Sequence, residues 1–247
     1  MNVKKIISTL TILSVIFTSS TFCFAGNSVD ITQDVAHSIT TDSYLKYMQD
    51  SLSSTKDATV AADLKTNISK YKSLSKDDQQ KFINYISDET LMKNAINKLS
   101  NLSTSNHKST SLESGDVFIT AESIKSSSVN IKAASAATRY TITYKPKVVV
   151  LGITIFQTTN TLVYMATSST VDSIVSFNAY VSKNYNPLMG ATFKNKSTYV
   201  SDNVANAQID IVFTWSYKIG EIITGSCRMY TRGYPGGSGV SWTEQLS

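Results

Sequence analysis

Apolar residues in the first part of the chain recur every three or four positions, the spacing of one face of an α-helix. The region from residue 32 to residue 102 contains neither proline nor glycine, both of which interrupt helices. Ser75 and Asp78 have the spacing of a helix N-cap and its acidic partner, so a helix is predicted to begin there. Two apolar stripes precede it, one of Tyr44, Leu45, Met48 and Leu52 and one of Val60, Leu64, Ile68 and Tyr71. We therefore predict several amphipathic helices in this region.

Apolar residues in the second part of the chain alternate with polar ones or form short runs, and β-branched and aromatic residues are frequent there. Tyr140, Ile142 and Tyr144 alternate in this way, and residues 148–156 are largely apolar. Turn-forming sequences such as residues 234–237 separate the apolar segments. The pattern predicts an antiparallel β-sandwich or barrel, and we favour the sandwich.

A polar segment rich in serine and threonine, residues 103–115, joins the two regions and is predicted to be a linker. The chain is thereby divided into a helical region at residues 26–102, the linker, and a β-sandwich domain at residues 116–247. The predicted fold class is α+β, with an N-terminal helical segment followed by an antiparallel β-sandwich. Because few contacts cross such a linker, we expect the helical and β regions to be separable units.

The N-terminus has the three parts of a secretory signal peptide. Lys4 and Lys5 supply the basic start, residues 6–17 form an apolar stretch too short to be a stable membrane anchor, and Ala25 suits the cleavage site. We therefore assign residues 1–25 as a signal peptide. We expect a secreted, extracellular protein with no membrane attachment after cleavage. A lipid on Cys23 is the alternative, although Phe22 stands where lipidation favours a small residue.

Removal of residues 1–25 changes the charge and the cysteine content of the chain. Loss of Lys4 and Lys5 lowers the net charge from +5 to +3, and no basic stripe of the kind that binds nucleic acid is present. Loss of Cys23 leaves Cys227 as the single cysteine, which excludes an intramolecular disulfide. The exported protein is therefore expected to be held together by its core alone.

Histidine, the usual proton-transfer group at neutral pH, occurs only at His37 and His107, both of which precede the β region. A Ser–His–Asp triad within the β region is therefore excluded, and histidines and cysteines are too few for a zinc site. The adjacent acids at residues 77–78 and 88–89 fall at predicted helix starts, where capping and the helix dipole explain them. We therefore predict no catalytic residue, no metal ligand and no cofactor.

Cys227 and Asp210 are the reactive residues that lie within predicted strands. Arg228 follows Cys227, but alternation places the two side chains on opposite faces, so Cys227 is predicted to be a buried apolar residue. Asp210 lies between two isoleucines and is predicted to point to solvent on the outer face of its sheet. Isolated acids of this kind weaken the case for a glycosidase, which needs two carboxylates beside its substrate.

Aromatic residues are numerous in the β region, and together with its slight basic excess they suit sugar rings or anionic wall polymers. Trp215 lies in an apolar strand and is predicted to pack in the core. Tyr185, Tyr234 and Trp242 lie in or beside predicted turns. We expect these three residues to form an exposed contact surface.

Three segments carry a resemblance to a known group of proteins. They are YKSLSKDDQQKFINYI at residues 71–86, YTITYKPKVVVLGITIF at residues 140–156 and YNP at residues 185–187. In these segments the chain resembles uncharacterised secreted proteins of low-GC Gram-positive bacteria, and the resemblance spans most of the mature chain. It implies secretion and a shared fold, and it implies no activity.

The sequence favours a secreted, non-enzymatic protein that binds a partner at the cell surface or in the medium. The partners expected from its chemistry are a cell-wall polymer or a surface glycan, with no nucleic acid. A secreted hydrolase of wall or matrix polymers is the alternative. A secreted toxin or antimicrobial factor is a second alternative, supported only by the positive charge and the β-rich C-terminal region.

Processing provides the first test. Protein collected from the growth medium should begin at Gly26, because cleavage after Ala25 places small side chains before the cut. N-terminal sequencing of the purified protein measures this directly, and an Ala25→Lys variant, which blocks the cleavage site, should accumulate with the signal attached. A secreted chain that begins at Met1, or that carries a lipid on Cys23, would contradict the assignment.

Overall fold

The computed structural model describes residues 39–103, 109–128, 137–217 and 220–246. Within these residues, four helices are followed by two antiparallel β-sheets, one of five strands and one of four. This arrangement confirms the predicted α+β class and the order of its two parts. The predicted signal peptide, His37 and His107 lie outside the described residues.

The described helices begin at polar side chains that accept hydrogen bonds from the first free backbone N–H groups. Ser75 accepts from the N–H of Asp78, as the sequence predicted, and Asp88 caps the next helix by accepting from Leu91. None of the helices in the described residues is long and apolar enough to cross a membrane. Their bounds are α1 Thr41–Ser54, α2 Ala58–Ser73, α3 Lys76–Ser87 and α4 Glu89–Leu99.

Each sheet is a meander in which strands consecutive in sequence are neighbours and antiparallel. The first sheet contains β1 Ser109–Leu112, β2 Val117–Ser128, β3 Thr138–Val150, β4 Ile153–Ala166 and β5 Val171–Asn184. The second contains β6 Met189–Ser201, β7 Val204–Tyr217, β8 Gly220–Gly233 and β9 Gly239–Gln245. Strand β1 lies inside the predicted linker, so the β region begins at Ser109 and not at residue 116. The prediction missed this strand because serine and threonine are typical of loops. In the structure the segment pairs with β2, and Leu112 packs against the core.

The two sheets share buried contacts. The rings of Phe156 on β4 and Phe213 on β7 meet edge to face, with centroids 5.5 Å apart. Near one end, the Tyr164 hydroxyl on β4 donates to the carbonyl oxygens of Tyr234 and Ser238, both beside the β8–β9 turn. Gly237 in that turn lets Tyr140 approach, since a Cβ there would come within 2.2 Å of the ring. The inward faces of both sheets therefore contribute to one core.

The helices pack on the sheets through hydrogen bonds as well as apolar contacts. The chain crosses from the first sheet to the second at residues 185–188, and the Tyr44 hydroxyl of α1 donates to the Tyr185 carbonyl there at 3.1 Å. Asn186, fully buried, donates to the Ile86 carbonyl at the end of α3 at 3.0 Å. The Thr243 hydroxyl on β9 donates to the Leu99 carbonyl of α4. This shared core differs from the separable units expected from the sequence, because the apolar stripes of the helices are buried against the sheets as well as against each other.

Asn186 provides a test of this shared core. Besides its bond to Ile86, its side-chain oxygen accepts from the Leu188 N–H at 3.0 Å, so Asn186→Ala leaves a buried carbonyl and an N–H without partners. We expect the variant to lose about 1–3 kcal/mol of unfolding free energy. Denaturant titration should be followed by far-ultraviolet circular dichroism, which reports the helices, and by tryptophan fluorescence, which reports the sheets.

The matched control is Asn178→Ala, since Asn178 is exposed on β5 and its loss should leave the midpoint unchanged. Both probes should shift together in Asn186→Ala because the bond joins helix to sheet. Transitions that separate in the wild-type protein would show that the helices and sheets unfold as independent units.

Candidate binding face

The outward face of the second sheet brings acidic, basic, amide and aromatic side chains close together. Alternation along β7 buries Ile209 and Ile211 in the core and directs Asn206, Gln208 and Asp210 to the other side. Residues of β6 and β8 that pair with β7, and residues of β9 that pair with β8, complete the face. We call this set the aromatic–cation face; it consists of Lys194, Tyr199, Asn206, Gln208, Asp210, Arg228, Tyr230, Arg232, Trp242 and Glu244.

Two aromatic rings form the centre of the face. Tyr230 on β8 lies directly opposite Trp242 on β9, and their rings stack nearly parallel, with centroids 4.7 Å apart and an interplanar angle of 10°. The Trp242 indole N–H donates to the Glu244 carboxylate at 2.8 Å, which fixes the ring edge. Both rings are half-buried, so part of each remains accessible to a ligand. The pair therefore forms a rigid aromatic platform.

Arg232 extends this platform with a positive charge. Its guanidinium lies 4.9 Å from the centroid of the Trp242 ring, within the range of a cation–π interaction. Its Nε donates to the Asn206 side-chain oxygen at 3.1 Å, which holds the planar group in place. Arg232 is exposed, and a guanidinium fixed in this way is suited to a carboxylate or phosphate.

Strand β7, which lies between β6 and β8, supplies the amide side chains of the face. Asn206 lies in register between Tyr199 on β6 and Arg232 on β8, and Gln208 lies opposite Tyr230. Because neighbouring strands are about 4.8 Å apart, Tyr199 and Arg232 are separated by about 10 Å at the backbone. Tyr199 is 48% exposed, whereas Asn206 is buried. The arrangement places hydrogen-bonding amides at the base of the face and rings at its sides.

Asp210 lies on the predicted outer face, but it does not point freely to solvent. Its two carboxylate oxygens accept from Arg228, at 2.5 Å from Nε and 3.0 Å from Nη2. Asn195, in a β-bulge of β6 with a φ of 52°, donates to the same carboxylate at 2.8 Å. The Arg228 and Asn195 hydrogen bonds lower the pKa of Asp210 below its ordinary value of 3.8. The carboxylate is therefore ionised at neutral pH and fully engaged, which does not suit a general acid.

The predicted contact surface is only partly present. Trp242 belongs to the aromatic–cation face, and Tyr234 is half-buried at the β8–β9 turn, where its carbonyl accepts from Tyr164. Tyr185 is 6% exposed, so its expected exposure is wrong. Its position beside a turn suggested solvent, but this turn is the crossing between the sheets and is covered by α1. Trp215, 3% exposed, is a core residue as predicted.

Tyr199, Tyr230 and Arg232 were not singled out from the sequence. A signal for two of them was available, because Cys227 and Met229 are apolar and alternation then assigns Arg228, Tyr230 and Arg232 to the opposite face. Their proximity to Trp242 and Tyr199 depends on strand register, which no local pattern specified.

Cys227 is fully buried, as predicted, on the inward face of β8. Burial raises the pKa of its thiol to about 12, so the reactive thiolate is not formed at neutral pH. Among the described residues, no group of three or more histidine, cysteine, aspartate or glutamate side chains is arranged to hold a metal ion. The aromatic–cation face is therefore the candidate site in the described part of the chain.

Comparison with known protein families, with characterised proteins and with solved structures finds no match to this chain.

The Asp210–Arg228 pair provides a test of how the face is held. The lowered pKa of Asp210 means that its ionised form stabilises the fold above pH 3.8, and this contribution is lost as the pH falls through the folded-state pKa. Arg228 is 28% exposed, which screens the pair. We therefore expect Asp210→Asn to lose about 1–3 kcal/mol at pH 7. Denaturant titration at neutral and acidic pH should show the gap to wild type narrowing below about pH 4.

Asp172→Asn is the control, since Asp172 is exposed on β5 and its variant should unfold as wild type does at both pH values. A gap between Asp210→Asn and wild type that stays constant on acidification would contradict the role assigned to the ionised carboxylate.

Proposed function

We propose that the protein is a secreted, non-enzymatic binding module whose aromatic–cation face recognises a cell-wall polymer or a surface glycan. The observation that carries the proposal is the pre-organised group of Tyr230, Trp242 and Arg232. The two rings stack, and the guanidinium is held beside them by Asn206. A rigid site of this kind loses little conformational entropy on binding.

The chemistry of the face matches that of a polymer of sugar rings with anionic substituents. The exposed Tyr199 ring and the accessible parts of Tyr230 and Trp242 present apolar surface to a sugar ring. The side-chain amide of Gln208 is able to exchange hydrogen bonds with hydroxyl groups. Arg232 and Lys194, both exposed, would attract carboxylate or phosphate groups along the polymer. The long sheet surface suits an extended ligand more than a small one.

The two acids of the face favour binding over hydrolysis. Hydrolysis of a glycosidic bond requires a carboxylic acid with a raised pKa and a second carboxylate across the substrate. Asp210 has a lowered pKa and is bonded to Arg228, and Glu244 accepts from the Trp242 indole. Both acids thus support neighbouring side chains of the binding group, which is why we propose a binding module and not a wall hydrolase.

We further propose that the two sheets form a β-sandwich whose inner faces meet in the core. The edge-to-face contact of Phe156 with Phe213 and the bonds from Tyr164 to the β8–β9 turn support this arrangement. We propose secretion on the basis of the signal peptide predicted at residues 1–25. A cell-surface ligand is consistent with that location.

Binding to purified Gram-positive cell walls tests the proposal. The mature protein should co-sediment with walls, and Trp242→Ala and Arg232→Lys should each weaken binding about tenfold, equivalent to about 1.4 kcal/mol. Arg232→Lys keeps the charge but loses the planar group that lies beside Trp242. Circular dichroism and melting curves of each variant establish that it is folded.

Tyr180→Ala is the control, because Tyr180 is an aromatic residue on the other sheet whose side chain is 51% exposed. Binding that persists in folded Trp242→Ala and Arg232→Lys would locate the site elsewhere. Release of soluble wall fragments during the incubation would favour the hydrolase alternative.

A further inference from the structure

Three side chains aligned across the first sheet each bury a polar atom without a hydrogen bond. Ser123 on β2 pairs in register with Tyr144 on β3, which pairs with Asn160 on β4. The Ser123 hydroxyl, the Tyr144 hydroxyl and the Asn160 side-chain nitrogen have no partner among the described residues. Five buried side-chain atoms in the described part of the chain share this property, and three of them lie in this one row. The clustering indicates a common cause.

The facing part of the second sheet is also polar and has small side chains. Thr231 on β8 donates to the Asn160 side-chain oxygen at 3.4 Å and lies 3.1 Å from the Ser241 hydroxyl on β9. Thr243, whose hydroxyl bonds to the Leu99 carbonyl, also interacts with the Tyr144 hydroxyl, but without the geometry of a regular hydrogen bond. Cys227 lies nearby. We call this set the interior polar layer; it consists of Ser123, Tyr144, Asn160, Cys227, Thr231, Ser241 and Thr243.

Buried side chains flank the layer along β3 and β4. On one side Ile142 pairs with Leu162, and neither is exposed. On the other side lies Thr158, whose hydroxyl donates to the Met229 sulfur, followed by the apolar pair of Val148 and Phe156. Buried polar groups without partners cost free energy, which the fold avoids when a bound molecule supplies the missing hydrogen bonds. The small side chains on the facing strands leave more space for such a molecule than leucine or phenylalanine would.

We propose that the interior polar layer binds a neutral guest that both donates and accepts hydrogen bonds, either ordered water or a small hydroxylated molecule. The layer contains no acidic or basic side chain, so an ion would lack a counter-charge. Tyr144 and Ser123 offer hydroxyls that donate or accept, whereas the Asn160 nitrogen only donates. A guest with hydroxyl groups satisfies all three, and this site is separate from the aromatic–cation face on the opposite side of the sheet.

Tyrosine-to-phenylalanine variants of the full mature protein test the proposal, because each removes one hydroxyl and keeps the ring. If the Tyr144 hydroxyl bonds to a guest, Tyr144→Phe should lower the melting temperature by about 3 °C. Tyr164→Phe is the positive control, since it removes a hydroxyl whose single proton is shared between two carbonyl oxygens, and it should also lower the melting temperature. Tyr180→Phe is the neutral control, because that residue is largely exposed. A Tyr144→Phe variant that melts at or above the wild-type temperature would overturn the proposal.

Ser123→Ala is a second test variant, used in case Tyr144→Phe does not fold. It should also lower the melting temperature. Native mass spectrometry of the wild-type protein distinguishes the sources of the guest. An added mass that is lost in the variants identifies a small hydroxylated molecule. An unmodified mass together with long-lived buried water detected by magnetic relaxation identifies ordered water. Finding neither would overturn the proposal.

Discussion

The crossing from one sheet to the other, at residues 185–188, holds the rest of the structure in place. Buried polar groups require partners. Those of the crossing find them in β4, in β7, within the turn itself and in two helices. Tyr44 of α1 donates to the Tyr185 carbonyl, and Asn186 donates to Ile86 at the end of α3. The Ile86 carbonyl belongs to the last turn of α3, where the backbone carbonyls have no hydrogen-bond partner within the helix. The helices and the sheets thus complete each other's hydrogen bonding at one point.

Strand alternation then decides which chemistry faces inward and which faces out. Along β7 and β8, alternate residues point to opposite sides of the sheet. Apolar side chains point into the core, and Asp210, Arg228 and Tyr230 lie on the outer face. The Asp210–Arg228 ion pair and its hydrogen bond from Asn195 link three strands within that face. The aromatic platform consequently rests on a support that is itself hydrogen-bonded, and its geometry is set by the sheet and not by loops.

Local features of the fold could be predicted from the sequence because their causes are local. The N-cap at Ser75, the alternation around Ile142 and the burial of Trp215 and Cys227 each follow from a few neighbouring residues. Partnerships between distant strands could not be predicted in this way. The stacking of Tyr230 on Trp242 depends on the register of β8 with β9, which is set by pairing along the whole hairpin.

The burial of Tyr185 also depends on residues far away in the sequence. Its neighbours asparagine and proline are typical of exposed turns, and nothing adjacent in the chain shows that a helix more than a hundred residues earlier covers it. Likewise, Ser123, Tyr144 and Asn160 are ordinary strand residues when taken singly. They become a polar layer only when three strands bring them into one row.

The bulge at Asn195 has a consequence for how molecules of this protein meet one another. Strand β6 is an edge of the second sheet, and an edge with regular backbone N–H and C=O groups is a template on which the sheet of another molecule can extend. The bulge interrupts that regular spacing midway along β6, and Lys194 and Lys196, both exposed, stand on either side of it. An approaching strand would meet irregular backbone and two positive charges at this point, and both make the edge a poorer template for pairing with another molecule.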